Sequence, residues 1–199
     1  REVGRRAAAE ASTREANAAL AVLARTDGLT GLPNRRSYDE HFAVEWTRAA
    51  RLRTPLALMI VDADHFKQFN DRFGHQRGDE VLRAVADCLQ RTLDTAGLSF
   101  RIGGEAFVAL LPGLDATAAS VAAERIRRAV VSLGIPHAPD VGGSATVSIG
   151  VASADPASGD PPDGLFTAAD AALYAAKKAG RNRVRAAPPP APPTLAMRA

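Results

Sequence analysis

The apolar and polar positions of the chain alternate in two rhythms. Leu56-Ala-Leu-Met-Ile-Val61 is an unbroken apolar run that stops abruptly at Asp62-Ala-Asp64, and it predicts a buried strand. Ala145, Val147, Ile149 and Val151 alternate with Thr146, Ser148 and Gly150, the period-two pattern of a half-buried strand. Leu98–Ile102 and Ala106–Leu111 flank Gly103-Gly104, a β-hairpin signal. Between these runs the spacing is helical. Val81, Leu82, Val85, Leu89 and Leu93 form one apolar face of a helix over about Asp79–Asp94, preceded by helical pattern from Phe66 that pauses at Gly74. Further helices are expected over about Arg36–Arg53, ended by Pro55, over Ala116–Leu133, and over Asp163–Ala179, closed by Gly180. Asn182–Arg185 adds a short strand. The interleaving after the first helix reads βααββαβαβ, an α/β fold whose hairpin makes the sheet mixed.

The ends differ from this body. Residues 1–25 are rich in Ala, Arg and Glu and read as helix. Ala9, Thr13, Ala16, Leu20 and Leu23 fall at three- and four-residue steps, the thin seam of a coiled coil; a helical signalling stalk and a plain surface helix both fit it. Thr26–Asn34 is turn-rich. Residues 186–199 hold five of the 13 prolines and are expected to be a disordered tail. The organisation is thus a stalk over 1–25, a domain over 26–185 and a tail over 186–199.

The chain has 199 residues, 46% of them hydrophobic, enough to build the core of one domain and to exclude global disorder. The single Cys88 excludes a disulfide framework and a multi-cysteine zinc site. No apolar run approaches the roughly 20 residues of a bilayer span, and no secretory signal opens the chain, so a cytoplasmic domain is expected, with membrane anchoring of a parent protein left open. A chain that begins at Arg1 is expected to be a piece of a longer protein. The net charge of +3 sits at the ends. Residues 1–25 carry +2 and 181–199 carry +4, so the body is net acidic and gives no footing for nucleic acid. Only three of the 25 basic residues are lysines: Lys67, Lys177 and Lys178.

Candidate chemistry gathers where the strands end. Asp62 closes the first strand, Glu105 sits at the tip of the Gly103-Gly104 turn, and Lys67 opens the helix after the strand. If that strand and the hairpin are neighbours, the two carboxylates meet at one end of the sheet. Two carboxylates suit Mg²⁺, glycines allow a backbone to approach an anion closely, and a lysine completes a nucleoside triphosphate site.

Five motifs then carry a resemblance. They are Asp27-Gly-Leu-Thr-Gly-Leu-Pro-Asn-Arg-Arg36, Val61-Asp-Ala-Asp-His-Phe-Lys-Gln-Phe-Asn-Asp71, Phe73-Gly-His-Gln-Arg-Gly-Asp79, Arg101-Ile-Gly-Gly-Glu-Ala-Phe107 and Tyr174-Ala-Ala-Lys-Lys-Ala-Gly-Arg-Asn182. In this order the chain resembles the GGDEF family of diguanylate cyclases from Asp27 to Arg185. The resemblance implies a fold like the polymerase palm and the nucleotidyl cyclases. It also implies condensation of two GTP into cyclic di-GMP with Mg²⁺ or Mn²⁺ across a homodimer, under an upstream sensor domain. By position, Asp62, the Ala63 carbonyl and Glu105 are implied as metal ligands, with Glu105 also a base. Asn70 and Asp79 are implied to read guanine; Lys67, Lys177 and Arg181 to hold the triphosphate; Gly103 and Gly104 to let the phosphates lie on the hairpin. Asp64 matches a motif position, as a structural group or as a substitute acid.

Two departures stand out. The fourth position of the signature, an acid in the family, is Ala106, so the second metal and with it the rate are expected to suffer. Three readings follow: a slow cyclase, a silent GTP-binding regulatory domain, and a dimerisation module. The family's product-inhibition Arg-x-x-Asp falls on Asp94 and Gly97, whereas Arg91-Thr-Leu-Asp94 lies three residues too early. Arg91 and Asp94 are therefore expected to be an ordinary surface pair. His75 is expected to hydrogen-bond within its turn, Cys88 and Trp46 to pack, and Lys178 to be solvated.

Overall fold

The computed structural model describes residues 24–188. The expected stalk lies outside them except for Ala24 and Arg25, which form a turn; the expected tail over 186–199 lies outside them beyond Pro188, and its start is ordered instead, with Ala186 in a strand and the Ala187 amide donating to the Val151 carbonyl. Ten elements follow in order: α1 (Arg35–Leu52), β1 (Leu56–Ala63), α2 (Phe66–Phe73), α3 (His75–Leu93), β2 (Leu98–Gly103), β3 (Ala106–Pro112), α4 (Ala116–Ser132), β4 (Val147–Ala154), α5 (Pro162–Lys178) and β5 (Val184–Ala186). The five strands form one mixed sheet in the order β2-β3-β1-β4-β5, antiparallel except for the β4–β5 pair.

Alternation along the strands sends side chains to two cores. Ala57, Met59 and Val61 of β1, with Phe107, Ala109 and Leu111 of β3, pack against α3 and α4. Leu56, Leu58 and Ile60, with Val108 and Leu110, face Tyr38 and Ala49 of α1 and Leu165, Ala169 and Leu173 of α5. The sheet is thus a middle layer between two helical layers, as the interleaved pattern predicts.

Caps fix the helix ends. The Asn34 side chain accepts from the Ser37 amide at 3.2 Å, an N-cap for α1, and its own amide donates to the Ala24 carbonyl. Asp115 caps α4 in the same way at 2.8 Å.

Three sequence expectations shift. The helix expected from Asp79 begins at His75, because only Gly74 separates it from α2. The strand read over Ala145–Val151 runs Val147–Ala154. It is also buried on both faces: Ser148 is 0% exposed, since α5 lies flat on the face that alternation assigned to solvent. Gly150 makes that contact. A Cβ there would stand 2.1 Å from the Ala169 carbonyl oxygen and 2.2 Å from the Leu173 nitrogen, so the backbone of α5 rests on the strand where only glycine leaves room.

Candidate functional site

The site forms at the end of β1. Asp62 continues the series Leu56, Leu58 and Ile60 onto the face that α5 covers, and its direct cross-strand neighbours are Ala106 on β3 and Ser148 on β4. Residues so paired project their side chains to the same face about 5 Å apart. The antiparallel β1–β3 pairing brings the hairpin turn to the same end, where the Ala63 amide donates to the Glu105 carbonyl at 3.3 Å. The expected approach of Asp62 and Glu105 therefore occurs, and the Glu105 charge is felt at Asp62. Burial pushes the Asp62 carboxyl above its usual pKa, outweighing the hydrogen bond and charge of Lys177, while Glu105 and Asp64 push it further up.

Lys177, in the last turn of α5, places its Nζ 2.7 Å from Asp62 Oδ1. The residue expected on phosphate thus sits on the residue expected on metal. Lys67 is exposed in the first turn of α2, beside the free amides of a helix N-terminus, an anion-favouring position. Arg181 lies in the loop after α5 in the left-handed region (φ 59°), near enough to His65 for its charge, after burial, to lower that imidazole's pKa.

Asn70 follows Lys67 by three residues on the same face of α2, a rise of about 4.5 Å. Its carboxamide oxygen is buried without a partner among the described residues and lies over Gly78, where a Cβ would stand 1.9 Å from it. Asp79 follows Gly78 in α3. The site residues thus fall into a pair at the α2–α3 junction and a charged group at the strand ends.

Asp64 is structural. It is 5% exposed and accepts from Thr146 Oγ1 at 2.7 Å, Ser148 Oγ at 2.6 Å and the Asn182 amide at 3.0 Å. Both oxygens are engaged by protein donors. Through Asn182 it fixes the loop that carries Arg181, and Arg127 holds the Asn182 side chain from α4 at 2.7 Å.

Sequence reasoning gave Arg101 no role. Its guanidinium donates twice to the Gly104 carbonyl (3.1 and 2.7 Å) and once to Asp27 at 2.9 Å, tying the turn to the opening motif. Gly103 and Gly104 both have positive φ, 141° and 51°, which the turn requires. Burial raises the Asp27 carboxyl pKa, but bonds from Arg101 and Thr30 outweigh it and hold it below its usual value. A lone arginine before a Gly-Gly turn, and an aspartate 74 residues earlier, gave no signal of contact.

Two smaller expectations fail. Arg91 and Asp94 are both exposed but form no ion pair among the described residues, because Asp94 lies past the end of α3 at φ 43°. His75 is exposed and makes no side-chain hydrogen bond within the described residues. Cys88 is buried and Trp46 packs against Phe42. Lys178 is exposed, over the Tyr174 ring at 4.7 Å.

Two carboxylates and a strand-end carbonyl are hard oxygen donors and fit one Mg²⁺ that also takes phosphate and water ligands. Among the described residues no group of three or more His, Cys, Asp or Glu side chains converges as a metal site. No helix among those residues is long and apolar enough to cross a membrane.

Comparison with known proteins agrees with this geometry. The family model "Diguanylate cyclase, GGDEF domain" matches residues 24–183. The probable diguanylate cyclase DgcC of Escherichia coli is 38% identical over 168 residues, 84% of this chain and 44% of that protein. The diguanylate cyclase DgcP of Pseudomonas aeruginosa is 40% identical over 162 residues, 81% of this chain and 24% of that protein. The chain therefore spans less than half the length of these relatives. The structure of the coiled coil and GGDEF domain of DgcB from Caulobacter crescentus, in complex with c-di-GMP, superposes with a TM-score of 0.85 at 36% identity, covering 94% of this chain and 97% of that one. With the matching motifs, the mixed sheet and these relatives in agreement, the chain belongs to the GGDEF family of diguanylate cyclases.

Proposed function

We propose that this domain binds GTP at the end of β1 and condenses two GTP into cyclic di-GMP across a homodimer, at a rate cut by orders of magnitude by Ala106. Asn70 and Asp79 read guanine: a guanine N–H meets the unpartnered Asn70 oxygen, and the Asp79 carboxylate accepts from N1–H and N2–H. Lys67, Lys177, Arg181 and the amides opening α2 neutralise the triphosphate, which lies along Gly103 and Gly104. A divalent cation held by Asp62, Glu105 and the Ala63 carbonyl would supply further charge neutralisation at the reacting phosphate. In each of the two transfers Glu105 would take the proton of the 3′-hydroxyl as its oxygen bonds to the α-phosphorus of the partner GTP, while the bond from that phosphorus to the β-phosphate breaks and pyrophosphate leaves.

The observation that carries this reading is the register of Asp62 with Ala106. An acid at position 106 would stand directly beside Asp62; a methyl group stands there instead. Loss of one preorganised charge from such a site costs about 10²–10³ in rate. The test is turnover of GTP with Mg²⁺ or Mn²⁺, read by chromatography, beside Ala106→Glu. The parent chain should bind GTP by calorimetry and form cyclic di-GMP slowly or not at all, with the variant about 100-fold faster. No GTP binding would reject the reading, and equal rates in the two proteins would reject the role given to Ala106.

A further inference from the structure

Two of the proposed roles collide in one contact. Asp62 is placed to hold a cation and Lys177 to hold phosphate, yet Lys177 Nζ lies 2.7 Å from Asp62 Oδ1. We infer that Lys177 is a tethered stand-in cation for Asp62, so that a divalent cation and a triphosphate must each break this one ion pair, and each thereby frees the other's ligand. The inference rests on the GTP-and-metal reading above and adds to it a reciprocal coupling between the two ligands.

The fold holds the pair in place. Lys177 follows Ala176, which is fully buried, and α5 is seated on β4 at Gly150, so the lysine stem starts from a fixed point. The side chains are 33% (Lys177) and 13% (Asp62) exposed, sheltered enough that the pair resists screening. Among the described residues Lys177 is the only cation bonded to Asp62. The acids that bear on Asp62 are Glu105 and Asp64; Asp64 already accepts from Thr146, Ser148 and the Asn182 amide, and among the described residues neither Glu105 nor Lys67 forms an ion pair. Ala106 adds no carboxylate to share the ammonium. Without ligands, then, a metal competes with an ammonium that cannot diffuse away, and a triphosphate competes with a carboxylate for that ammonium.

The consequence runs against intuition: removing a residue from one ligand's site should tighten the other ligand. Mn²⁺ binding to nucleotide-free protein, followed by electron paramagnetic resonance, should tighten about tenfold in Lys177→Gln and equally in Lys177→Met. Lys67→Gln removes the same charge from an unpaired position and should shift Mn²⁺ affinity by no more than about twofold. In EDTA, GTP affinity by calorimetry should tighten about tenfold in Asp62→Asn and by no more than about twofold in Glu105→Gln. Equal effects in Lys177→Gln and Lys67→Gln, equal effects in Asp62→Asn and Glu105→Gln, or weakened binding in either paired variant would overturn the inference while leaving the GTP-binding reading intact. A parent chain that binds neither GTP nor Mn²⁺ would overturn both.

Discussion

Asp64→Asn tests whether the buried carboxylate beside the site is a positioning group. Three bonds end on it: from Thr146 Oγ1, Ser148 Oγ and the Asn182 amide, at 2.6–3.0 Å. The amide keeps an acceptor for Thr146 and Asn182 and turns an NH₂ towards Ser148, whose hydroxyl can rotate to accept it. What is lost is charge assistance, about 1 kcal/mol per bond. Relief of repulsion with Asp62 offsets part of this, for a net loss of about 1–3 kcal/mol. In a domain of this length that lowers the melting temperature by about 2–10 °C. Asp64→Ala strands three buried donors and should cost more, about 3–5 kcal/mol. The functional half of the prediction follows from the Asn182 bond, which holds the Arg181 loop. GTP should bind about tenfold more weakly to Asp64→Asn, whereas GMP, which lacks two of the three phosphates that Arg181 is proposed to help neutralise, should be weakened less. Melting curves and calorimetry with both nucleotides decide it. An unchanged melting temperature in both variants, or equal weakening of GMP and GTP, would refute the reasoning.

Two further outcomes are expected. Arg101→Lys cannot reproduce a fork that grips the Gly104 carbonyl and Asp27 together, so urea denaturation should show a loss of about 1–2 kcal/mol; an unchanged midpoint would count against the turn staple. Asp62 has its carboxyl pKa raised above 3.8, chiefly by burial. The native state therefore takes up this proton at a higher pH than the unfolded chain, and the ionised group weakens folding above that raised pKa. Asp62→Asn should accordingly stabilise the metal-free protein at neutral pH, with the gain shrinking as pH falls through the raised pKa towards 3.8 and gone below it. Denaturation midpoints in EDTA across that range measure it, and a gain independent of pH would contradict the assignment.

Local rhythm made most of the elements legible. The apolar run Leu56–Val61 and the Gly-Gly hairpin specify their strands whatever surrounds them, and the helical spacing from Val81 to Leu93 has no other reading. What local pattern cannot carry is who lies opposite whom. Ser148 sits on the polar phase of an alternating strand and reads as solvent-facing, yet it is fully buried under α5; the clue was Gly150, whose missing side chain admits the helix. The candidate site divides in the same way. Its candidate residues could be named from the motifs, because those motifs hold acids, lysines and glycines in the order of the family they resemble. Its contacts were not. Asp62 and Lys177 are 115 positions apart in the chain, and their ion pair exists only because α5 ends above the end of β1. Arg101 and Asp27 meet across 74 residues for a similar reason.

That same separation explains how one acid can be missing while the rest of the site stands. The residues proposed to read guanine belong to α2 and α3, where Asn70 is seated over Gly78. The cations proposed for phosphate belong to α2, to α5 and to the loop pinned by Asp64, and α5 is held on the sheet through Gly150. Only the acids depend on the β1–β3 register. Ala106 begins β3, and the five residues that follow it are buried and hold the strand in place, so a change of side chain at 106 reaches Asp62 without moving α2, α3 or α5. The proposed nucleotide binding and phosphoryl transfer therefore meet only at the Asp62–Lys177 pair. Ala106→Glu should change kcat far more than GTP affinity, and a variant that altered both equally would mean that the substitution also moves α2, α3 or α5.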